Sequence, residues 1–437
     1  MMKYDVIIIG AGIAGYSAGI RCLQAGLKTA LISQGQSALH FSSGSIDVLG
    51  KLPCGSAVEF PFQAIQQLAQ QAPEHPYSKV GAAISQQGLL WFQHTLQQHG
   101  MPLSHQADHS NHQRITSMGT LKATWLSQPY VYQHKKQCDF KRLVLVSIEG
   151  YRDFQPPMLQ DNLRYLPEFS TIASTIVSIS IPGFAELRHN PHELRSIDIA
   201  RLLKKPSAWQ AFCDQLTQVA TGDDLVILPA IMGNGDGLHL LDKLHATTGL
   251  SLHEVPTMPP SLMGIRIEES LSRAFLSLGG IHLKGDKVTK GEFNHHRLNA
   301  IYTKNLTDMA LYADHFLMAT GSYFSQGLAA NHQGISEPIF QLDVESAQER
   351  ARWRNHDFFA KCSHPFMTFG VTTTASLNPS RQGETIHNLY CCGSMLAGYD
   401  PVFEGCGGGV AIATAYHATS QIIAQWQAQA STQEALV

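Results

Sequence analysis

An α/β protein in which one domain interrupts another is what three features of this 437-residue sequence predict. An apolar strand, Val6-Ile7-Ile8-Ile9, runs straight into a glycine-rich turn at Gly10. Strand and helix patterns alternate again between 142 and 255, the rhythm of a parallel sheet. Beyond 256, a strand ending in Ala319-Thr320-Gly321 and a helix entered through Gly407-Gly408-Gly409 return to glycine-rich turns of the first kind. The expected division is a discontinuous domain of 1–60 and 256–437, with 61–255 inserted as a second α/β domain.

Taken in order, the first turn reads Gly10-Ala11-Gly12-Ile13-Ala14-Gly15. This is G-x-G-x-x-G, the Rossmann-like device that sets a dinucleotide pyrophosphate on a helix N-terminus. Gly10 permits the tight turn, Gly12 removes a side chain where phosphate comes close, and Gly15 lets helix and strand pack tightly. A helix over 13–25 follows, Gly26 stands where a C-cap glycine belongs, and 27–32 is the next strand. Such units ordinarily carry an acid about twenty residues on, which holds the adenosine ribose. Here the strand ends in Ser33-Gln34, and no acidic residue lies between Asp5 and Asp47. Ser33 offers a single hydrogen bond in its place. Flavin mononucleotide, with a phosphate and no adenosine, fits that pattern; so does FAD held in another way. The next segment, QSALHFSSGSID, has the small hydroxyl residues and glycine of a loop that passes a flavin. Ser42, Ser43 and Gly44 are candidates for contacts to its phosphate or ring.

Residues 60–140 read as helical and irregular, with a turn and short strand at 119–125. Strands are then expected at 142–148, 175–181, 224–230 and 251–255. Between them, Asn190-Pro191-His192-Glu193 has the look of a helix start. Ser207 is placed to cap a helix whose Trp209, Phe212, Leu216 and Val219 share one face. From Pro260 a helix to Leu278 ends at Gly279-Gly280, a strand follows to Val288, and polar hairpins occupy 289–312. The apolar strand 313–319 then reaches Thr320-Gly321, where glycine lets backbone pass close to a cofactor. A last strand ends at Gly393-Ser394, where Ser394 makes a weaker, uncharged version of the contact an acid would give a ribityl hydroxyl. The N–H groups and positive dipole end at Gly407, Gly408 and Gly409 suit the pyrimidine edge of a reduced, anionic flavin.

Composition narrows the function. A net charge of −3 and pI near 6.7 leave no electrostatic footprint for nucleic acid. Charged residues make up 15%, against about 25% in ordinary soluble domains, which suits a surface partly covered by partners. No run of about 18 apolar residues is present to span a bilayer, and the first strand starts too early to leave room for a signal peptide. The eight cysteines form no C-x-x-C pair, so neither an iron–sulfur cluster nor structural zinc is expected, and no metal site. The doublet His295-His296 is expected to be a solvated turn.

The blocks DVIIIGAGIAG, GQSALHFSSGSID, GTLKATWLS, PTMPPSLMGIRIEESL, FLMATGSYFSQGL, FGVTTTASLNPS and EGCGGGVA together resemble the B subunit of the bacterial anaerobic glycerol-3-phosphate dehydrogenase, nearly end to end. That resemblance implies FMN in this chain, an FAD-containing partner (the A subunit) beside it, and a membrane-anchored iron–sulfur partner (the C subunit). It implies oxidation of sn-glycerol 3-phosphate to dihydroxyacetone phosphate, with electrons passed to a quinone and on to fumarate or nitrate. It places the chain peripherally on the cytoplasmic face of the inner membrane, through its partners. Oxidising a secondary alcohol needs a base for the hydroxyl proton, for which histidine is suited. His40 and His364 lie in segments expected near the flavin. A phosphorylated polyol also wants an arginine; Arg266 is the first choice, Lys122 and Arg381 the second. A scaffold or electron-relay role in the same complex, and a fumarate-reductase-like enzyme, stay open as alternatives.

Overall fold

The computed structural model describes residues 3–135, 137–183, 195–235 and 237–434. The chain opens with β1 (Lys3–Ile9), α1 (Ile13–Gln24) and β2 (Thr29–Ser33), then three helices, α2 (Pro61–Gln71), α3 (Pro76–Val80) and α4 (Ala82–Gln98). A hairpin follows, β3 (His112–Ile115) with β4 (Leu121–Thr124). The middle alternates as expected: β5 (Arg142–Ile148), α5 (Pro156–Leu163), β6 (Ala173–Ile179), α6 (Ser196–Leu202), α7 (Pro206–Val219), β7 (Asp224–Pro229), α8 (Gly237–Thr248) and β8 (Ser251–Val255). The last third holds α9 (Leu262–Ser277), β9 (Ile281–Lys284), β10 (Val288–Asn294), β11 (Arg297–Thr303), β12 (Leu311–Met318), β13 (Leu389–Cys391) and α10 (Gly407–Glu434).

Two compact units divide these elements. The first comprises 1–38, 46–100 and 270–437, and the second 39–45 and 101–269. The boundaries therefore differ from those the sequence suggested. Residues 61–98 join the first unit because α4 packs on α10: an added side chain on Gly88 would meet Tyr416 at 2.9 Å. On the same helix face the Arg21 guanidinium lies 3.4 Å over the Tyr416 ring and donates to Ser420. The boundary at 269/270 falls within α9.

In the first unit, a seven-stranded sheet runs β10-β11-β12-β1-β2-β9, with β13 also paired to β12. β1 lies parallel to both β2 and β12, and β2 is parallel to β9. Helices cover the central strands, so Ile7, Ile8, Ala30, Leu31, Phe316 and Leu317 are wholly buried, as continuous apolar runs in parallel sheets should be. The strand expected to reach Val288 breaks at Gly285, whose φ of +81° turns the chain, and resumes as β10. β10 and β11 form a hairpin that reverses at His295 (φ +49°); both histidines of the doublet are exposed.

The second unit is a parallel sheet of order β6-β5-β7-β8. Its core joins Val144, Leu145, Val226 and Ile227 to Trp209, Phe212 and Leu216 of α7. That helix starts one residue before Ser207: Pro206 takes the first position and Lys205 the cap, because proline's fixed φ and missing N–H suit that place best. The expected helix start at 190–193 lies outside the described residues.

Candidate functional site

The first unit carries a cleft of about 470 Å³ at the carboxyl ends of β1, β2 and β12, the place where open α/β sheets bind ligands. Its floor is the turn Gly10–Gly12. Gly10 sits at φ +109°, its N–H bonded to Ile32 O, and a side chain there would collide with Ala319 O. A Cβ on Gly15 would collide with the Gly10 carbonyl, so this glycine serves packing. Gly12 differs. A Cβ there would meet nothing within 4 Å; the space it leaves belongs to the cleft. The first turn of α1 carries no acidic residue, so its positive end is open to phosphate. These features fit a nucleotide phosphate.

Of the expected cofactor contacts, Gly10, Gly12, Ser33, Gln34, Thr320, Gly321, Gly393 and Ser394 all line this cleft. Gly321 and Gly393 have φ of +84° and +75°, and the Gly393 N–H is fixed by Thr414 Oγ1 at 3.0 Å. The cleft also runs past Ser33 to Asp286–Thr289, which no motif marked. These residues arrive through the β2–β9 pairing, which sets Ser33 beside Lys284. Burial pushes the Asp286 carboxyl up, but donation from Thr303 and from the N–H groups of Asn305, Lys287 and Lys304 outweighs it and holds the carboxyl below its usual range. Cys392 lines the cleft as well, and burial pushes its thiol far up. Cys22 is likewise pushed up to about 12 by burial, so these cysteines are inert thiols.

Gly407–Gly409 open α10 without lining the cleft; Ala411, one turn on, does line it. Gly409 has a packing reason: its N–H donates to Asp47 O, and a side chain would collide with Tyr77 Oη. Just before it lies a buried network that the sequence did not reveal. His75 Nδ1 accepts from Tyr77 N, so Nε2 carries the proton and donates to Glu404 at 3.0 Å. Cys406 Sγ lies 4.0 Å from the same carboxylate.

Ser42, Ser43 and Gly44 belong to the second unit. A side chain on Gly44 would collide with Gln128 Nε2 and come within 2.6 Å of Met263. The loop is braced by an arginine that sequence reasoning missed: Arg114, 1% exposed, donates to Ser43 O and Ser45 Oγ.

The three expected catalytic residues fare differently. In the second unit, His40 Nε2 lies 3.0 Å from Glu268 Oε2. Its Nδ1, shielded from solvent, has no hydrogen-bond partner among the described residues. Arg266 is not a free phosphate grip. It is 3% exposed and forks onto Glu254 at 2.6 and 3.1 Å, with further bonds to Gly233 O and Gln128. Four of its five N–H groups are thereby taken, two of them by Glu254. His364, in the first unit, accepts from Asn355 N at Nδ1 and meets Phe358 O at Nε2, both at 3.0 Å. Both nitrogens are spent bracing the loop that exposes Phe358 and Phe359, which leaves none to act as a base. Arg381 donates to Phe340 O and stacks on Phe293; Lys122 is an exposed residue of β4.

The FAD-binding domain family matches residues 5–410. The anaerobic glycerol-3-phosphate dehydrogenase B subunit of Vibrio cholerae serotype O1 is 64% identical over 437 residues, covering 100% of both chains. The protein of the same name from Vibrio vulnificus is 55% identical, again over 100% of both. Among solved structures, 3-ketosteroid delta1-dehydrogenase from Sterolibacterium denitrificans aligns at 10% identity and a TM-score of 0.46, over 97% of this chain and 100% of that one.

Proposed function

The chain belongs to the FAD-binding family and, within it, to the B subunits of anaerobic glycerol-3-phosphate dehydrogenases, and from that premise we propose that it is a flavin carrier of such a complex and holds FAD. The observation that carries this reading is the cleft of the first unit. The phosphate of FMN would reach only as far as the seat at Gly10–Gly12, whereas this cleft continues past Ser33 to Asp286–Thr289, where an adenosine beyond the pyrophosphate would extend. The expectation of FMN rested on the missing acid after β2 and on the resemblance to the B subunits; the room beyond Ser33 and the match to the FAD-binding domain family favour FAD over it.

Bound there, the flavin would supply two-electron oxidation of the substrate's secondary alcohol. The chain's part is to seat the phosphates on α1, exclude water and hold the substrate proton. The base expected at His40 stays a proposal within the second unit: Glu268 accepts the hydrogen bond of Nε2–H, so Nδ1 keeps its lone pair. His40→Gln should cut turnover of sn-glycerol 3-phosphate at least about a hundredfold with flavin content unchanged. Undiminished turnover removes His40 from the chemistry and leaves electron relay as the chain's role.

The reading includes two partners, the FAD-containing A subunit and the membrane-anchored iron–sulfur C subunit, with electrons leaving towards a quinone. None of the described helices is long and apolar enough to cross a membrane, which suits attachment through a partner. Acid release of the cofactor from the purified chain, followed by mass spectrometry, tests the central point. FAD supports the proposal; FMN restores the mononucleotide reading; a colourless chain that takes up neither flavin turns the assignment towards a scaffold.

A further inference from the structure

The loop that His364 braces in the first unit ends in two exposed phenylalanine rings. Phe358 and Phe359 are 72% and 86% exposed, and their rings stand perpendicular at 5.1 Å. The loop is held by its own hydrogen bonds. His364 accepts from Asn355 N and meets Phe358 O, and the Asn355 amide donates to Ser363 O at 3.0 Å. Asp357 Oδ1 accepts from Phe359 N, and Ser363 Oγ donates to the Asp400 carboxylate. Rings then follow one another away from the tip: Phe358 to His364 at 6.0 Å, His364 to Phe366 at 6.1 Å, Phe366 to Tyr323 at 6.5 Å. Tyr323 lies in the chain between Gly321 and Ser325, and both of those line the nucleotide cleft. Around the tip the charge is positive. Residues 349–361 carry four cations, Arg350, Arg352, Arg354 and Lys361, against two acids, Glu349 and Asp357, in a chain whose net charge is −3. All four cations are exposed, and Arg350 lies over the Trp353 ring at 5.3 Å.

We propose that this ridge is the docking surface for an acidic protein partner, one that presents carboxylates around an apolar socket. An apolar patch rimmed by charge is costly to leave in water and marks an interaction site. Aromatic rings and arginines are the anchors that protein interfaces use most. The hydrogen-bonded loop has its shape before a partner arrives, so little ordering entropy is lost on docking. Charge decides among the occupants. A second copy of this chain would bring an identical cationic rim across a two-fold axis, and the rims would repel. An anionic bilayer would have to admit the Asp357 carboxylate to its headgroup layer together with the two rings, against its own negative potential. A protein surface with carboxylates opposite Arg354 and Lys361 meets the rim and leaves Asp357 at the edge. The run of rings ends at the cleft wall, so a partner seated here stands next to the cleft that would hold the flavin, the position a redox partner needs.

This inference rests on the reading of the chain as one subunit of a complex, and one experiment separates the two. The full chain is titrated by biolayer interferometry with each of the two partner subunits proposed above, at low and at physiological salt. The variants are Phe358→Ala with Phe359→Ala, Phe358→Leu with Phe359→Leu, and Arg354→Glu with Lys361→Glu. All the changed side chains are exposed, so thermal midpoint and flavin content should match the wild type in each. Wild type should bind one of the partners more tightly at low salt. The double alanine variant should weaken that binding at least about thirtyfold, the scale of an interface hot spot, and the double leucine variant should recover most of it. Charge reversal should slow association about tenfold and flatten the salt dependence. Equal binding by wild type and all variants overturns the docking surface and leaves the complex standing. Loss in the alanine variant with no effect of charge reversal or salt overturns the acidic partner. A wild type that binds neither subunit overturns the complex and the docking surface with it. Two further measurements on the chain alone test the other occupants. Sedimentation with vesicles of phosphatidylcholine and phosphatidylglycerol, abolished by the alanine changes, would make the ridge a membrane contact; a dimer abolished by them would make it a self-association face. Either result overturns the proposal.

Discussion

At the scale of single residues, glycines of one motif divide by what would fill their missing side chains. Gly12 borders open cleft, while Gly15 faces the Gly10 carbonyl. Gly12→Ala should therefore leave the thermal midpoint of the apoprotein nearly unchanged and weaken flavin binding by about tenfold or more, since a methyl displaces a phosphate contact. Gly15→Ala should destabilise the apoprotein itself by about 1–3 kcal/mol, the cost of overpacking. A thermal melt and a flavin titration on each variant check this, and the opposite pattern would reverse the two roles. Arg266 gives a second contrast. Breaking its buried pair through Arg266→Met should cost about 3–5 kcal/mol, while the double change with Glu254→Leu should recover much of it. Urea unfolding reads both. An Arg266→Met protein of normal stability with a raised KM for glycerol 3-phosphate would return this residue to the substrate. The sequence could not show that pairing: Glu268 and Glu269 are the near acids along the chain, but β8 brings Glu254 to the guanidinium. The glycine turn was legible because everything it needs lies within six consecutive residues.

At the scale of elements, local pattern fared well and strand neighbours did not. The alternation between 142 and 255 correctly implied a parallel sheet, in which β7 is buried along its whole apolar run and β5 along most of it. Nothing in the sequence put β9 beside β2, a pairing across some two hundred and fifty residues, and with it went Asp286. The second unit shows how such contacts become pH-sensitive. His253 of β8 accepts from Tyr132 N at Nδ1 and meets Ile115 O of β3 at Nε2, so its ring ties strand to hairpin in the neutral form. Burial, reinforced by the Arg114 charge and only partly opposed by the bond to Ile115, pushes its pKa down to about 3 from an ordinary 6.5. Between those values the unfolded chain binds the extra proton. Stability is therefore complete above pH 6.5 and falls as the pH drops towards 3, by at most about 1.4 kcal/mol per pH unit. Urea midpoints at pH 7.5, 6 and 5 should show this decline. His253→Gln should be less stable at pH 7.5 and show a shallower slope; an unchanged slope would remove His253 as its source.

At the scale of the whole molecule, the two units each own a sheet and a buried core, and the nucleotide cleft is lined wholly by residues of the first. Independent cores make two unfolding transitions the expectation, and single-transition bookkeeping does not apply to such chains. A ligand stabilises only what it binds in the folded state. At a hundredfold excess over Kd, FAD contributes about 2.7 kcal/mol to the unit that holds it, roughly a 5–10 °C rise for a unit of this size. Calorimetry of the apoprotein with increasing FAD should move one transition upward logarithmically with concentration and leave the other within about a degree. Which unit moves is read by hydrogen exchange at the same concentrations: protection should grow in β1, α1, β2 and β9, and the amides of β5 and β7 should keep their rates. FMN, reaching only the phosphate seat, should protect α1 without β9. Equal protection of β9 by both flavins would mean that the length of cleft beyond Ser33 is not an adenosine site, and the case for FAD would then have to rest on the family match alone.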